Sequence, residues 1–502
     1  MHPTSLPGSY GIGELGGEAI RFIDWLADFR QSFWQILPMG PTSFGDSPYL
    51  SLSTFAGNHL LISFEFLLED GLLDESERSD FSGCDPCAID FGDIIRRRMD
   101  VLLSVCDNFA SRADPALSES FLTFSEMNAD WLEDYATFVA LKDFHGGRPW
   151  IEWPPEYRDR DEKVLRRIRS TLSREIRNVK ILQFLYAEHW GRIREHCRRR
   201  GVRLIGDLPI FVAHDSADVW ANRELFYLDT EGRPTVVGGV PPDYFADTGQ
   251  RWGNPLYRWD RHAESGYTWW IRRMRGILQQ VDVVRIDHFR GFEAYWEIPE
   301  DESTAMNGRW VRGPGEEFFL ALEEALGDLP ILAEDLGLIT EQVHALRDRF
   351  NFPGMQVLQF ELENDPASQE FQPGEFPVRC AGYTGTHDND TMIGWFRTLC
   401  EKGDEYRRDA ILGIAGCEAA TINWGAIRVV ARSSANWAVF PLQDILGLGS
   451  EARMNVPGSA TGNWRWRFSW DQVTPECGRL LLETTRESGR LSRAPLENLM
   501  IS

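Results

Sequence analysis

A (β/α)8 barrel is the fold this sequence predicts, and three observations predict it. Short β-rich apolar runs recur along the chain, with helical stretches between them. The runs are continuously apolar rather than alternating, as parallel strands buried on both faces should be. Their C-terminal ends carry carboxylates, on the rim where such barrels place their active sites.

The first strand is expected in Phe33-Trp34-Gln35-Ile36-Leu37-Pro38-Met39, and the second in RLIGDLPI from Arg203 to Ile210. VDVVRID, from Val281 to Asp287, and PILAED, from Pro330 to Asp335, follow. Then come MQVLQF from Met355 to Phe360, RCAGY from Arg379 to Tyr383 running on to His387-Asp388, and WAVFPLQD from Trp437 to Asp444. Glu316 to Leu326 (EEFFLALEEAL) has the spacing of an amphipathic helix between two of them. These are seven strands of the eight. The missing one belongs before His2, where only Met1 stands, so the first strand is read as degenerate or cut short.

Two insertions interrupt the barrel. Residues 65–180 carry Glu, Asp, Arg, Leu and Trp at helical spacing and read as a mainly helical subdomain. Arg198-Arg199-Arg200, just before Gly201, reads as a solvated helix end whose cations favour the C-terminal dipole, in preference to an anion-binding patch. Residues 213–265 read as a lid and loop subdomain, with Gly238-Gly239 followed by the aromatic residues Tyr244, Phe245 and Trp252. The whole of 1–502 is thus expected as a single catalytic domain, without a separate C-terminal β domain.

Lys and Arg number 52 and Asp and Glu 77, so the net charge is −25, which argues against nucleic acid as a partner. No run approaches the roughly 18 apolar residues of a membrane span, and the start lacks the marks of a secretory signal. Eight scattered cysteines read as reduced thiols in a cytoplasmic protein, with Cys84-Asp85-Pro86-Cys87 an incidental pair. No metal-ligand spacing appears, so neither metal nor cofactor is expected.

Asp207, Asp287, Glu334 with Asp335, and Asp388 with Asp390 all fall at strand ends. One such acid is ordinarily a cap or ion-pair partner, but four strand ends on one rim point to chemistry. Arg285 and Asp287 are two apart in a strand, so both side chains leave the same face. The guanidinium is expected to lower the Asp287 pKa, as suits a nucleophile. His387 beside Asp388 suits hydrogen bonding to a polar substrate. Nineteen Trp, several in polar surroundings, offer platforms for sugar rings. Paired carboxylates with aromatic platforms make glycoside chemistry the first reading, ahead of a metal site.

The motifs also carry a resemblance. HPTSLPG from His2, GDSPY from Gly45, GDLPI from Gly206, VPPDYF from Val240 and QRWGNP from Gln250 resemble the amylomaltases. So do VRIDHFRG from Val284, AEDLG from Ala333, THDND from Thr386 and MNVPG from Met454. These are the 4-α-glucanotransferases of the α-amylase clan, and the match runs in order from residue 2 to about residue 468.

The resemblance implies Asp287 as nucleophile, Glu334 as acid/base and Asp388 as transition-state stabiliser. It places Arg285, Asp207 and His387 around the reacting sugar, and Tyr49, Ser47, Tyr244, Phe245, Trp252, Asn254 and Asn455 against the glucan. It implies α-1,4-glucans and maltooligosaccharides as donors, glucose or glucan as acceptor, a retaining double displacement and no cofactor. Two departures stand out: the family's short apolar strand before the His-Pro-Thr-Ser-Leu-Pro motif is absent, and Phe44 stands where some members have Tyr. A retaining α-glucan hydrolase and a non-catalytic glucan-binding protein are the alternatives. Oligomeric state is not encoded in any motif.

Overall fold

The seven apolar runs all form parallel strands. The structure is a computed structural model that describes residues 1–78, 80–242, 247–368 and 372–491. The barrel strands are β1 (Phe33–Gln35), β2 (Arg203–Pro209), β5 (Val283–Asp287), β8 (Ile331–Ala333), β9 (Gly354–Val357), β10 (Cys380–Tyr383) and β11 (Trp437–Val439). They pair in parallel in the orders β1-β2-β5-β8 and β11-β10-β9. The Ala333 N–H donates to Pro353 O at 2.9 Å, joining the two arcs beside β8. Helices such as Thr268–Leu278, Glu316–Leu326, Glu341–Arg349 and Ile422–Arg432 separate the strands in sequence.

The eighth strand expected of a (β/α)8 barrel is not present among the described residues. Pro3–Ser5, which follows the place expected for it, forms a turn of 3-10 helix with Pro3 at its first position. The seam between β11 and β1 is closed by side chains. Phe33 and Trp437 rings lie 5.3 Å apart, and the Tyr383 hydroxyl donates to Gln35 Oε1 at 2.9 Å. The Met1 amine donates to Gln35 O at 3.2 Å, and Trp34 Nε1 donates to Met1 O at 2.7 Å.

Alternation within the strands fills the barrel and builds the site at once. Ile205, Val283, Leu332, Met355, Val357, Ala381 and Tyr383 make one buried cluster, with Phe33, Trp437 and Val439 packed on it. Two residues further along β2 and β5 the same face carries Asp207 and Arg285, paired directly in register.

Between β1 and β2 the chain is mainly helical. Its longest helices are Phe91–Arg112, Ala129–Phe144 and Ser173–Arg200. Ser173–Arg200 ends on Gly201 in the left-handed conformation (φ 72°), with Arg198, Arg199 and Arg200 exposed at its end.

The 213–265 segment departs from the loop reading. It contributes β3 (Val236–Val240) and β4 (Gln250–Pro255) to an antiparallel sheet, completed by β6 (Ala294–Pro299) and β7 (Arg309–Arg312) in the order β4-β3-β6-β7. Gly238-Gly239 suggests a loop, yet the register shifts here between Val237 and Gly239. A Cβ on Gly239 would stand 2.2 Å from Gln250 O, so glycine is what lets the two strands approach.

Candidate active site

The predicted site residues meet at the C-terminal ends of β5, β8 and β10. Arg285 is buried and donates from Nη1 to both Asp207 oxygens at 2.7 Å, while Nη2 lies 3.1 Å from Asp287 Oδ1. The Tyr49 hydroxyl donates to Asp207 Oδ2 at 2.7 Å. One guanidinium thus bridges two carboxylates, fixing the Asp287 oxygen from below.

Glu334 is one hydrogen-bonded rung from Asp287. Its backbone N–H donates to Ile286 O at 3.0 Å. Its Oε2 accepts the His288 N–H at 2.7 Å and its Oε1 the Leu336 N–H at 2.9 Å, so the carboxyl is held at both oxygens. His288 presents that N–H from a left-handed backbone (φ 55°). Its ring stands edge-on to Trp252 at 4.8 Å.

Burial pushes both carboxyls up. Glu334 rises to about 7, with the Arg285 charge pulling the other way and Asp287 adding to the rise. Asp287 rises to about 6 through burial, against the pull of Arg285. Arg285 does pull the Asp287 pKa down as expected, but burial outweighs it, so the net shift is upward where a lowered nucleophile was expected. The Asp287 side chain keeps 30% exposure, and the water that reaches it tempers the rise.

Asp388 is of another kind: its side chain is half exposed and oriented by neighbours. Asn455 Nδ2 donates to its Oδ1 at 2.6 Å and Arg453 Nη2 to its backbone oxygen at 2.6 Å. His387 Nε2 lies 3.4 Å from the same Oδ1, and its ring stacks on Tyr49 at 5.1 Å.

Ser47, Tyr49, Trp252, Asn254, Arg285, Asp287, Glu334, His387, Asp388 and Asn455 all line one cleft of about 910 Å³. Asp207 lies behind it, buried against Arg285 and Tyr49. Asn254 is turned partly inward, donating to Val212 O at 2.9 Å. Tyr244 and Phe245, together with the side chain of Phe44, lie outside the described residues. Asp335 and Asp390 prove structural: Asp335 holds Arg347 and the Met355 N–H, and Asp390 accepts from Ser450 Oγ and the Thr391 N–H. Sequence reasoning missed His288 and Arg453. His288 stood next to Asp287 in sequence, but its left-handed turn has no signal without glycine. Among the described residues no three His, Cys, Asp or Glu converge as a metal-holding group.

The family model described as 4-alpha-glucanotransferase matches residues 1–473. The chain belongs to the 4-alpha-glucanotransferase family. It is accordingly a glycosyl-transferring enzyme. A 4-alpha-glucanotransferase of Thermus thermophilus is 49% identical, covering 98% of this chain and 98% of its own. A chloroplastic/amyloplastic 4-alpha-glucanotransferase of Arabidopsis thaliana is 41% identical over 96% of this chain and 83% of its own. Among solved structures, an amylomaltase from Streptococcus agalactiae in complex with acarbose superposes with a TM-score of 0.93 at 36% identity, covering 98% of each chain.

Proposed function

We propose that this 4-alpha-glucanotransferase moves α-1,4-glucan segments from maltooligosaccharide or starch donors to the 4-OH of glucose or another glucan, by a retaining double displacement. The arrangement of Glu334 and Asp287 on adjacent strand ends, with their protonation ordered by their surroundings, carries this reading. Asp287 Oδ attacks the anomeric carbon as the glycosidic C–O bond breaks, and Glu334 gives its proton to the departing oxygen. The acceptor 4-OH then gives its proton to Glu334 and attacks the same carbon, releasing the Asp287 carboxylate. Asp388 holds ring hydroxyls as the oxocarbenium ion forms, and Asn455 keeps it oriented. Tyr49, Trp252, Asn254 and Ser47 provide the glucan contacts, with His387 beside the reacting sugar.

Incubation with maltotriose, with products resolved by length, tests this. Glucose together with maltopentaose and longer chains is expected. Glucose and maltose alone would instead mean a hydrolase.

A further inference from the structure

The loop from Thr384 to Thr391, between β10 and the helix Met392–Glu401, carries His387 and Asp388 into the cleft. Its tip is held by Asn455, which donates from its backbone N–H to His387 O at 3.1 Å and from Nδ2 to Asp388 Oδ1. Its two ends are held by one carboxylate. Asp444, the last residue of the WAVFPLQD run, lies in the short helix Leu442–Leu446 after β11. Its Oδ2 accepts the Thr384 hydroxyl at 2.6 Å, and its Oδ1 accepts the Met392 N–H at 2.8 Å. Thr384 directly follows β10 and Met392 opens the next helix, so the two bonds close the loop at its base.

Asp444 differs from an acid that merely starts a helix. Pro441 is the N-cap there, and both Asp444 oxygens are turned to the loop instead of the helix's own N–H groups. The residue is 1% exposed, and its charged neighbour is another carboxylate, Asp390, rather than a cation. An acid buried in that way is unfavourable unless its donors are worth the cost. It is also anchored in turn: Asn423 Nδ2, from the helix Ile422–Arg432, donates to Asp444 O at 2.8 Å. The bonds inside the loop are local by contrast. Asn389 Oδ1 accepts the Thr386 N–H and hydroxyl at 2.8 and 2.9 Å, which shapes the turn without fixing where it stands on the barrel.

We infer that Asp444 is a positioning residue for the transfer reaction, setting where Asp388 stands by clamping both ends of the loop that carries it. The inference rests on the role of Asp388 proposed above. Asp444 itself is not among the residues that line the cleft. A displacement of about 1 Å at a reacting centre can cost about 10²-fold in rate. Since Asp444 does not meet the sugar, its loss should fall on kcat and leave KM close to the parent's.

The test is a double-mutant cycle of Asp444→Ala and Asp388→Ala, read as fluoride release from α-maltosyl fluoride, a donor whose good leaving group keeps slow variants measurable. Rates are taken per folded molecule, with the folded fraction measured by urea unfolding. Asp444→Ala alone should lower kcat about 10²-fold. Asp388→Ala should lower it at least as far, and the double variant should lie within about twofold of Asp388→Ala, because the clamp then has nothing to place. Asp444→Asn should recover most of the rate, since its amide can donate to the Thr384 hydroxyl and its carbonyl can accept the Met392 N–H. Where Asp444→Ala does not fold, Thr384→Val, which removes one anchor and keeps the other, takes its place in the cycle. A smaller loss and the same failure to multiply are expected of it. Losses that multiply, or a parent-like kcat in the variant at the clamp, overturn the inference. An Asp388→Ala protein with undiminished kcat overturns the proposed role of Asp388 instead.

Discussion

Glu334 and Asp287 are both carboxylates raised by burial, and what separates them is wiring: two backbone N–H groups for the first, a shared guanidinium for the second. On the proposed mechanism, turnover needs Asp287 ionised and Glu334 protonated. The rate of maltotriose conversion should therefore follow a bell in pH whose two limbs belong to the pair and lie above the ordinary carboxylate range. Glu334→Gln should lose about 10²–10⁴-fold in rate and with it the alkaline limb, measured as initial glucose release. Asp287, Glu334 and Asp388 were legible in the sequence because strand ends put their carboxyls on one rim. The separate jobs of Asp335 and Asp390 were not, since adjacency in sequence says nothing of which face a side chain takes after a strand ends. Nor was the sense of the Asp287 shift, which burial sets against the pull of Arg285.

At the scale of elements, the barrel strands were legible because continuous apolarity has no other cheap explanation, whereas β3 was hidden by its glycines and β6 and β7 by their distance from β3 and β4 in sequence. The helix Ser173–Arg200 shows how an element is held in place. His189 is fully buried on it, and its Nδ1 accepts the Ser63 N–H at 3.0 Å, tying the helix to the start of Phe64–Glu69. Burial, reinforced by Arg192, lowers the His189 pKa to about 3 from an ordinary 6.5. The unfolded chain therefore takes up the proton first. The neutral ring's contribution is complete above pH 6.5 and declines as pH falls towards 3. His189→Gln keeps an acceptor without a titration, so its urea midpoint should fall less steeply than the parent's between pH 6.5 and 4.

For the whole molecule, the packing across the β11–β1 seam is the feature that sequence reasoning did not reach, since it joins side chains as far apart in sequence as Gln35 and Tyr383. Trp437 is half-buried against Phe33 there, and Trp437→Ala should cost about 2 kcal/mol in urea unfolding, below the 3–5 of a fully buried aromatic. The two ends of the chain meet elsewhere. Arg467 donates from Nη2 to Leu6 O and Gly8 O at 3.1 and 2.9 Å, and the Phe468 N–H donates to Ser5 O at 3.1 Å. Asn455, which orients Asp388, belongs to the same late stretch. A chain growing on the ribosome therefore carries all three carboxylates well before it has the residues that fix the third and lash the first turn in place. Activity should therefore be missing from any chain cut short of Asn455 and Arg467, however well its three carboxylates are placed.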